Sequence, residues 1–186
     1  MTTVDTPATT SSIAQALRKL YFVRFAFQLI WAGLVFATAS QLGPLGIALV
    51  VIYPLFDVGA AIVDARSSKA AGTPYGLYVN IAISTLAAIG LGVAGTAGVP
   101  GILRVWGVWA IVSGIVQLVV GVVRRRMGGQ WPMILSGGIS VLAGASFFMG
   151  AAAPNPMLTN IAGYAVLGGI FFLISALRLG RAAKGK

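Results

Sequence analysis

The sequence predicts an all-α, polytopic membrane bundle: six transmembrane helices forming three tandem parallel hairpins, related by a pseudo-threefold axis along the membrane normal. Three observations predict it. Hydrophobic residues make up 58% of the 186-residue chain and charged ones 9%, too little polar surface for a soluble domain. Apolar runs of roughly 18 or more residues recur from one end to the other. Three uncharged turns each carry a proline, Pro44, Pro100 and Pro156, at one constant offset of 56 residues.

The elements follow in order. Residues 1–17, rich in Thr and Ser as far as Gln15, read as a disordered cytoplasmic tail. A membrane domain then covers 18–182, with repeats at about 18–69, 75–128 and 130–182, and 183–186 is a short basic tail. The first span runs from Phe22 to about Ser40 and "QLGP" turns the chain. The second, Leu45 to Asp64, ends at "ARSSKAAGTP", and the third, Tyr75 to Val93, at the Gly-rich "GTAGVPG". The fourth, Ile102 to Val123, stops at "RRRMGGQ". The fifth, Pro132 to Met149, leads into "GAAAPNP", and the sixth, Leu158 to Leu179, into "GRAAKGK". Each is long enough to cross a hydrocarbon core about 30 Å thick as a helix. Lys19, the following apolar run and "ATA" at Ala37 to Ala39 also resemble a cleaved signal peptide, but the repeat needs this span as half of its first hairpin.

The basic residues give the direction. Arg18, Lys19 and Arg24 precede the first span, and Arg66 and Lys69 follow the second. Arg124, Arg125 and Arg126 follow the fourth, and Arg178, Arg181, Lys184 and Lys186 mark the end of the sixth. The remaining loops hold no Lys or Arg, and Arg104 alone approaches that side, where its chain would snorkel outward. The bias places both termini in the cytoplasm of a bacterial inner membrane. Basic residues at the ends of apolar runs argue against nucleic acid as the partner of the net +10 charge. They suit anionic lipid headgroups instead.

The 56-residue offset extends beyond the prolines. Arg24 matches Asn80 and Ser136, and Gln28 matches Ser84 and Ser140. Ala32 matches Ala88 and Gly144, while Asp57 matches Ser113 and Gly169. An even number of spans per unit keeps every hairpin pointing the same way. Small residues predict close packing at Ser136, Ser140 and Gly144, at Ala88 and Gly92, at Ala165 and Gly169, and along Ala110, Gly114, Gln117 and Gly121. Trp106 and Trp109 near the outer interface, and Trp131 and Tyr75 near the inner one, read as belt residues. Trp31 lies too deep for a belt and is expected inside.

Chemistry is restricted by what is missing. There is no Cys and no His, and all three acids are Asp, so no disulfide, usual metal ligand set, Ser-His-Asp triad or carboxylate pair exists within the chain. No cofactor is expected and an enzyme is not. The candidate site is an intramembrane polar layer in the cytoplasmic half: Arg24, Gln28, Asp57, Asn80 and Gln117. Asp57 lies about 11 Å from the end of its span. A charged Asp at mid-helix costs about 2.5–3.5 kcal/mol on insertion scales, so a partner is expected. Arg24 is the natural one. Pro54 should bend the helix and free the Val50 carbonyl. The layer is either a structural lock on the first hairpin or a binding and proton-relay site built on Asp57.

Three segments, "LRVWGVWAIVSGIVQLVVGVVRRR" (Leu103 to Arg126), "WPMILSGGISVLAGASFFM" (Trp131 to Met149) and "YAVLGGIFFLISALRLGR" (Tyr164 to Arg181), resemble the HdeD-like family of small six-span bacterial membrane proteins, which carry a short repeated hairpin. The resemblance covers about residues 18 to 182. It implies a non-enzymatic protein connected with stress or acid resistance and supplies no shared site residues. Arg24 and "YPLFDVGAAIVDAR" depart from the blander pattern, which suggests a subgroup with its own role. With short loops, partners are expected within the membrane or at the basic face: lipids, other membrane proteins, or further copies of the chain. The alternative function is a small transporter or channel that uses the polar layer as its path.

Overall fold

The computed structural model describes residues 7–68, 75–123 and 131–182, and these are largely helical with no strand among them. The helices are α1 (Pro7–Thr38), α2 (Pro44–Ser68), α3 (Tyr75–Ala94), α4 (Gly98–Val123), α5 (Trp131–Gly150) and α6 (Thr159–Ala182), with a 3-10 turn at Gly95–Ala97 between α3 and α4. Both α1 and α2 start on a proline. That position needs no intrahelical N–H and suits the fixed proline φ. The helix α1 therefore begins at Pro7, inside the segment 1–17 that the sequence predicts to be a disordered tail. Its first turns are Ala- and Leu-containing ("ATTSSIAQAL") and compatible with helix. Lys69, Arg124, Arg125, Arg126, Lys184 and Lys186 lie outside the described residues.

Four stretches among the described residues are long and apolar enough to cross a membrane: Gln15–Thr38, Pro44–Ser67, Tyr75–Val119 and Thr159–Arg181. The sequence predicts six spans, and the difference has a physical reason. Tyr75–Val119 runs through α3 and α4 with no polar break, and the apolar part of α5, Ile134–Gly150, is short. Within the long stretch the chain reverses at Gly98, whose φ of +73° is open to glycine and costly for other residues.

Each helix packs on its neighbours in chain order, and α6 returns to α1. The most extensive contacts join α4 to α5, α1 to α6 and α2 to α3. Large apolar side chains point outward, with Ile30, Leu86, Val93 and Leu142 all at least 66% exposed. In water such a surface would aggregate, whereas lipid tails match it.

The interior is aromatic. Trp31 of α1, Tyr53 of α2 and Trp106 of α4 are buried together, and their ring centroids lie 4.6–5.4 Å apart. Trp109 closes the cluster edge-on to Trp106 at 5.3 Å. Trp31 is thus internal as predicted, while Trp106 and Trp109 are core residues and not belt residues. Proximity to the end of an apolar run does not say which face of the helix a ring occupies. Trp131 and Tyr75 are 77% and 74% exposed, as belt positions require.

The helices α4 and α5 touch backbone to backbone. A Cβ on Gly107 would stand 2.6 Å from the Gly144 carbonyl oxygen, and one on Gly144 equally close to the Gly107 oxygen. Gly114 and Gly137 repeat the arrangement at 2.8 Å, one heptad away on each helix. Of the predicted small-residue seams, Gly114, Ser140 and Gly144 are at this contact. Gly107 and Gly137, each facing backbone across the same contact, were not among them.

Candidate functional site: a carboxylate shared by three helices

The site is built around Asp57 on α2. Its Oδ1 accepts a hydrogen bond from Arg24 Nη2 of α1, forming an ion pair in which both side chains are about 15% exposed or less. Its Oδ2 accepts from Asn80 Nδ2 at 2.7 Å and from Ser84 Oγ at 2.9 Å, both on α3. Asn80 and Ser84 are four residues apart, so one face of α3 presents both donors. The Arg24 guanidinium also lies over the Phe172 ring of α6, 4.1 Å from its centroid. A guanidinium offers donors at its edge and a flat face for stacking, so one Arg serves both neighbours.

Ser84 also accepts a hydrogen bond from Trp109 Nε1 at 3.2 Å, which connects the carboxylate to the aromatic core and to α4. The arrangement is a chain of donors and acceptors from Trp109 through Ser84 to Asp57 and Arg24. Such a network, in surroundings of low dielectric, strengthens its members and makes removal of any one costly.

Of the predicted site residues, Arg24, Asp57 and Asn80 meet directly. Gln28 is buried one turn above Arg24, but its amide faces α6, where its Oε1 occupies the space that a Cβ on Gly168 would need. No hydrogen bond among the described residues joins Gln28 or Gln117 to Asp57. Equal depth put Gln117 in the layer, but depth alone does not determine which way a side chain points. Ser84 was legible as the repeat partner of Gln28 and as the residue one turn from Asn80. Phe172 and Trp109 carried no such signal, because their roles depend on which helices become neighbours.

Pro54 is buried within α2, which continues through it from Pro44 to Ser68. The carbonyl that gains a new donor near this proline belongs to Leu49, which accepts from Trp31 Nε1 at 2.7 Å. The proline region therefore serves the aromatic core. A second polar contact, Ser140 Oγ with Tyr164 OH at 2.8 Å, links α5 to α6.

Asp57 and Arg24 line neither of two surface grooves beside them. One, of 300 Å³, is lined by Leu20, Val23, Phe56, Gly59, Ala60 and Val63. The other, of 170 Å³, is lined by Ile62, Ala65, Arg66, Tyr78 and Ile81. Among the described residues no group of His, Cys, Asp or Glu is placed to hold a metal ion. Chemically, a carboxylate with both oxygens engaged by three donors is a joint between helices. Three of its about four lone-pair positions are taken by helix side chains. No protein family model, curated protein or solved structure matches this chain.

Proposed function

We propose that the chain is a non-catalytic integral protein of a bacterial inner membrane whose polar layer locks its helices together. It crosses the membrane six times as three tandem hairpins, with both termini in the cytoplasm. The observation that carries this reading is the engagement of both Asp57 oxygens by Arg24, Asn80 and Ser84, with neither of the two grooves above lined by it. A conduit needs a polar group that faces a path, and here the strongest acceptor faces its own neighbours.

Two observations support the threefold arrangement. The buried polar side chains among the described residues are Gln28, Ser84 and Ser140, the three positions related by the 56-residue offset. The most extensive helix contacts, α6 with α1, α2 with α3 and α4 with α5, also recur every two helices. The exposed Lys19, near the start of the apolar stretch Gln15–Thr38, and Arg66, Arg178 and Arg181 near the C-terminal ends of α2 and α6 support a cytoplasmic basic face. The resemblance to HdeD-like proteins extends the reading to a role in stress or acid tolerance, with anionic lipids, other membrane proteins or further copies as partners.

A transporter or channel is the second reading. It draws on Arg24 Nε, Gln28 Oε1 and Ser113 Oγ, buried polar atoms that no hydrogen bond satisfies among the described residues. A solute passing through the bundle would meet these groups. Proteoliposomes separate the readings. The lock predicts proton and potassium fluxes equal to those of protein-free vesicles, whereas a flux abolished by Asp57→Asn would establish the path.

A further inference from the structure

We infer that the groove between the last turn of α2 and the first turns of α3 binds an anionic phospholipid, with the phosphate held by Arg66 and Tyr78. The inference rests on the membrane reading above and on Arg66 facing the cytoplasm. Ile62, Ala65 and Arg66 line one wall at spacings of three and four residues, and Tyr78 and Ile81 line the other. These spacings put each set on one helix face. The polar groups stand at one end, because Arg66 belongs to the last turn of α2 and Tyr78 to the first turn of α3. The aliphatic side chains stand deeper. The groove is therefore amphipathic in the same sense as a lipid entering from that leaflet, with a cation at headgroup depth and apolar walls at chain depth.

Arg66 is exposed and is the one charged residue among those lining this groove. Asp57 is engaged by Arg24 on α1. Asp64 is two residues from Arg66, hence about 200° around the helix, and interacts electrostatically with Tyr21 of α1. A phosphate diester supplies the anion that Arg66 faces, and a guanidinium with an adjacent phenol hydroxyl offers it several donors. The larger groove between α1 and α2 is wholly apolar. It accepts an acyl chain without regard to headgroup, and so serves as an internal comparison.

The test uses the purified full-length chain in neutral micelles, titrated with phosphatidylglycerol or phosphatidylcholine, with bound lipids counted by native mass spectrometry. One phosphatidylglycerol should be retained in preference to phosphatidylcholine. Arg66→Gln should weaken that binding about fivefold, the effect of one basic residue on an anionic lipid, and Arg66→Lys should restore part of it. Tyr78→Phe should weaken it less. Arg181→Gln, a charge loss elsewhere on the basic face, should weaken it clearly less than Arg66→Gln. Equal retention of the two lipids, or equal effects of Arg66→Gln and Arg181→Gln, would overturn the site. Flotation with vesicles reports the underlying reading separately: a chain that fails to float overturns both, and one that floats without selectivity overturns the groove alone.

Discussion

Arg24 of α1 donates to Asp57 of α2 while its guanidinium face rests on Phe172 of α6. Asn80 and Ser84 bring α3 to the same carboxylate. A single acid thus joins three helices, and its Arg24 partner reaches a fourth. In lipid, where apolar side chains gain nothing by leaving their surroundings, such polar contacts and close packing must supply the cohesion.

Ser84 should be the most sensitive neutral member of the network. Ser84→Ala removes a donor to Asp57 and leaves the Trp109 indole N–H without its acceptor. Its cost should be about 1–3 kcal/mol. Ser175→Ala is the control, since that hydroxyl donates only to the Phe171 carbonyl of its own helix, and it should cost less than half as much. Unfolding midpoints in mixed micelles compare the two.

The α4–α5 contact predicts a split among glycines. Gly107→Ala and Gly144→Ala each drive a methyl into a facing backbone oxygen that has no rotamer by which to yield. Overpacking of this kind costs about 1–3 kcal/mol. Gly33→Ala meets nothing within 4 Å and should be neutral or stabilising by about 0.5–1 kcal/mol, the helix preference for Ala over Gly. Thermal unfolding of the three variants decides it.

Gly98→Ala tests the reversal between α3 and α4. With φ at +73° and ψ at −166°, a conformation essentially confined to glycine, any Cβ costs about 1–3 kcal/mol. Gly98→Asn should lose as much, because Asn tolerates the left-handed helical region and not the extended one that ψ of −166° gives this residue. Equal stability of the wild type and both variants would contradict the turn geometry.

Tryptophan accessibility distinguishes core from belt. Trp31 and Trp106 are buried and Trp131 is exposed. Trp131→Phe should therefore remove most of the acrylamide-quenchable emission, and Trp106→Phe very little of it. The opposite result would return Trp106 to the interface.

How much of this was legible in the sequence follows from what each signal measures. Asp57 stood out because acids are scarce in apolar segments, and Arg24 because it was the nearest cation in depth. Asn80 followed from depth as well, whereas Ser84 is outside the predicted layer and had its signal only in the proline offset that matches it to Gln28. Depth put the buried Gln28 near Arg24 but did not show that its amide turns to Gly168, because facing is decided by helix rotation. Trp106 and Trp109 failed for the same reason. Phe172 was not legible at all, since its place over Arg24 depends on α6 returning to α1. The small-residue pattern identified α4 and α5 as close-packing helices. It missed Gly107 and Gly137, because glycines lie on several faces of both helices and only the partner selects one.

The central claim is that the Asp57 layer is a lock, and a double-mutant cycle on Arg24→Gln and Asp57→Asn tests it most directly. Unfolding free energies of the wild type, both singles and the double would be measured in one micelle system. Removing either partner strands the other inside the bundle, so each single should lose about 3–5 kcal/mol. The double should lose clearly less than their sum, by at least about 1 kcal/mol of coupling. An Asp57→Asn chain as stable as the wild type, with additive effects across the cycle, would contradict the account.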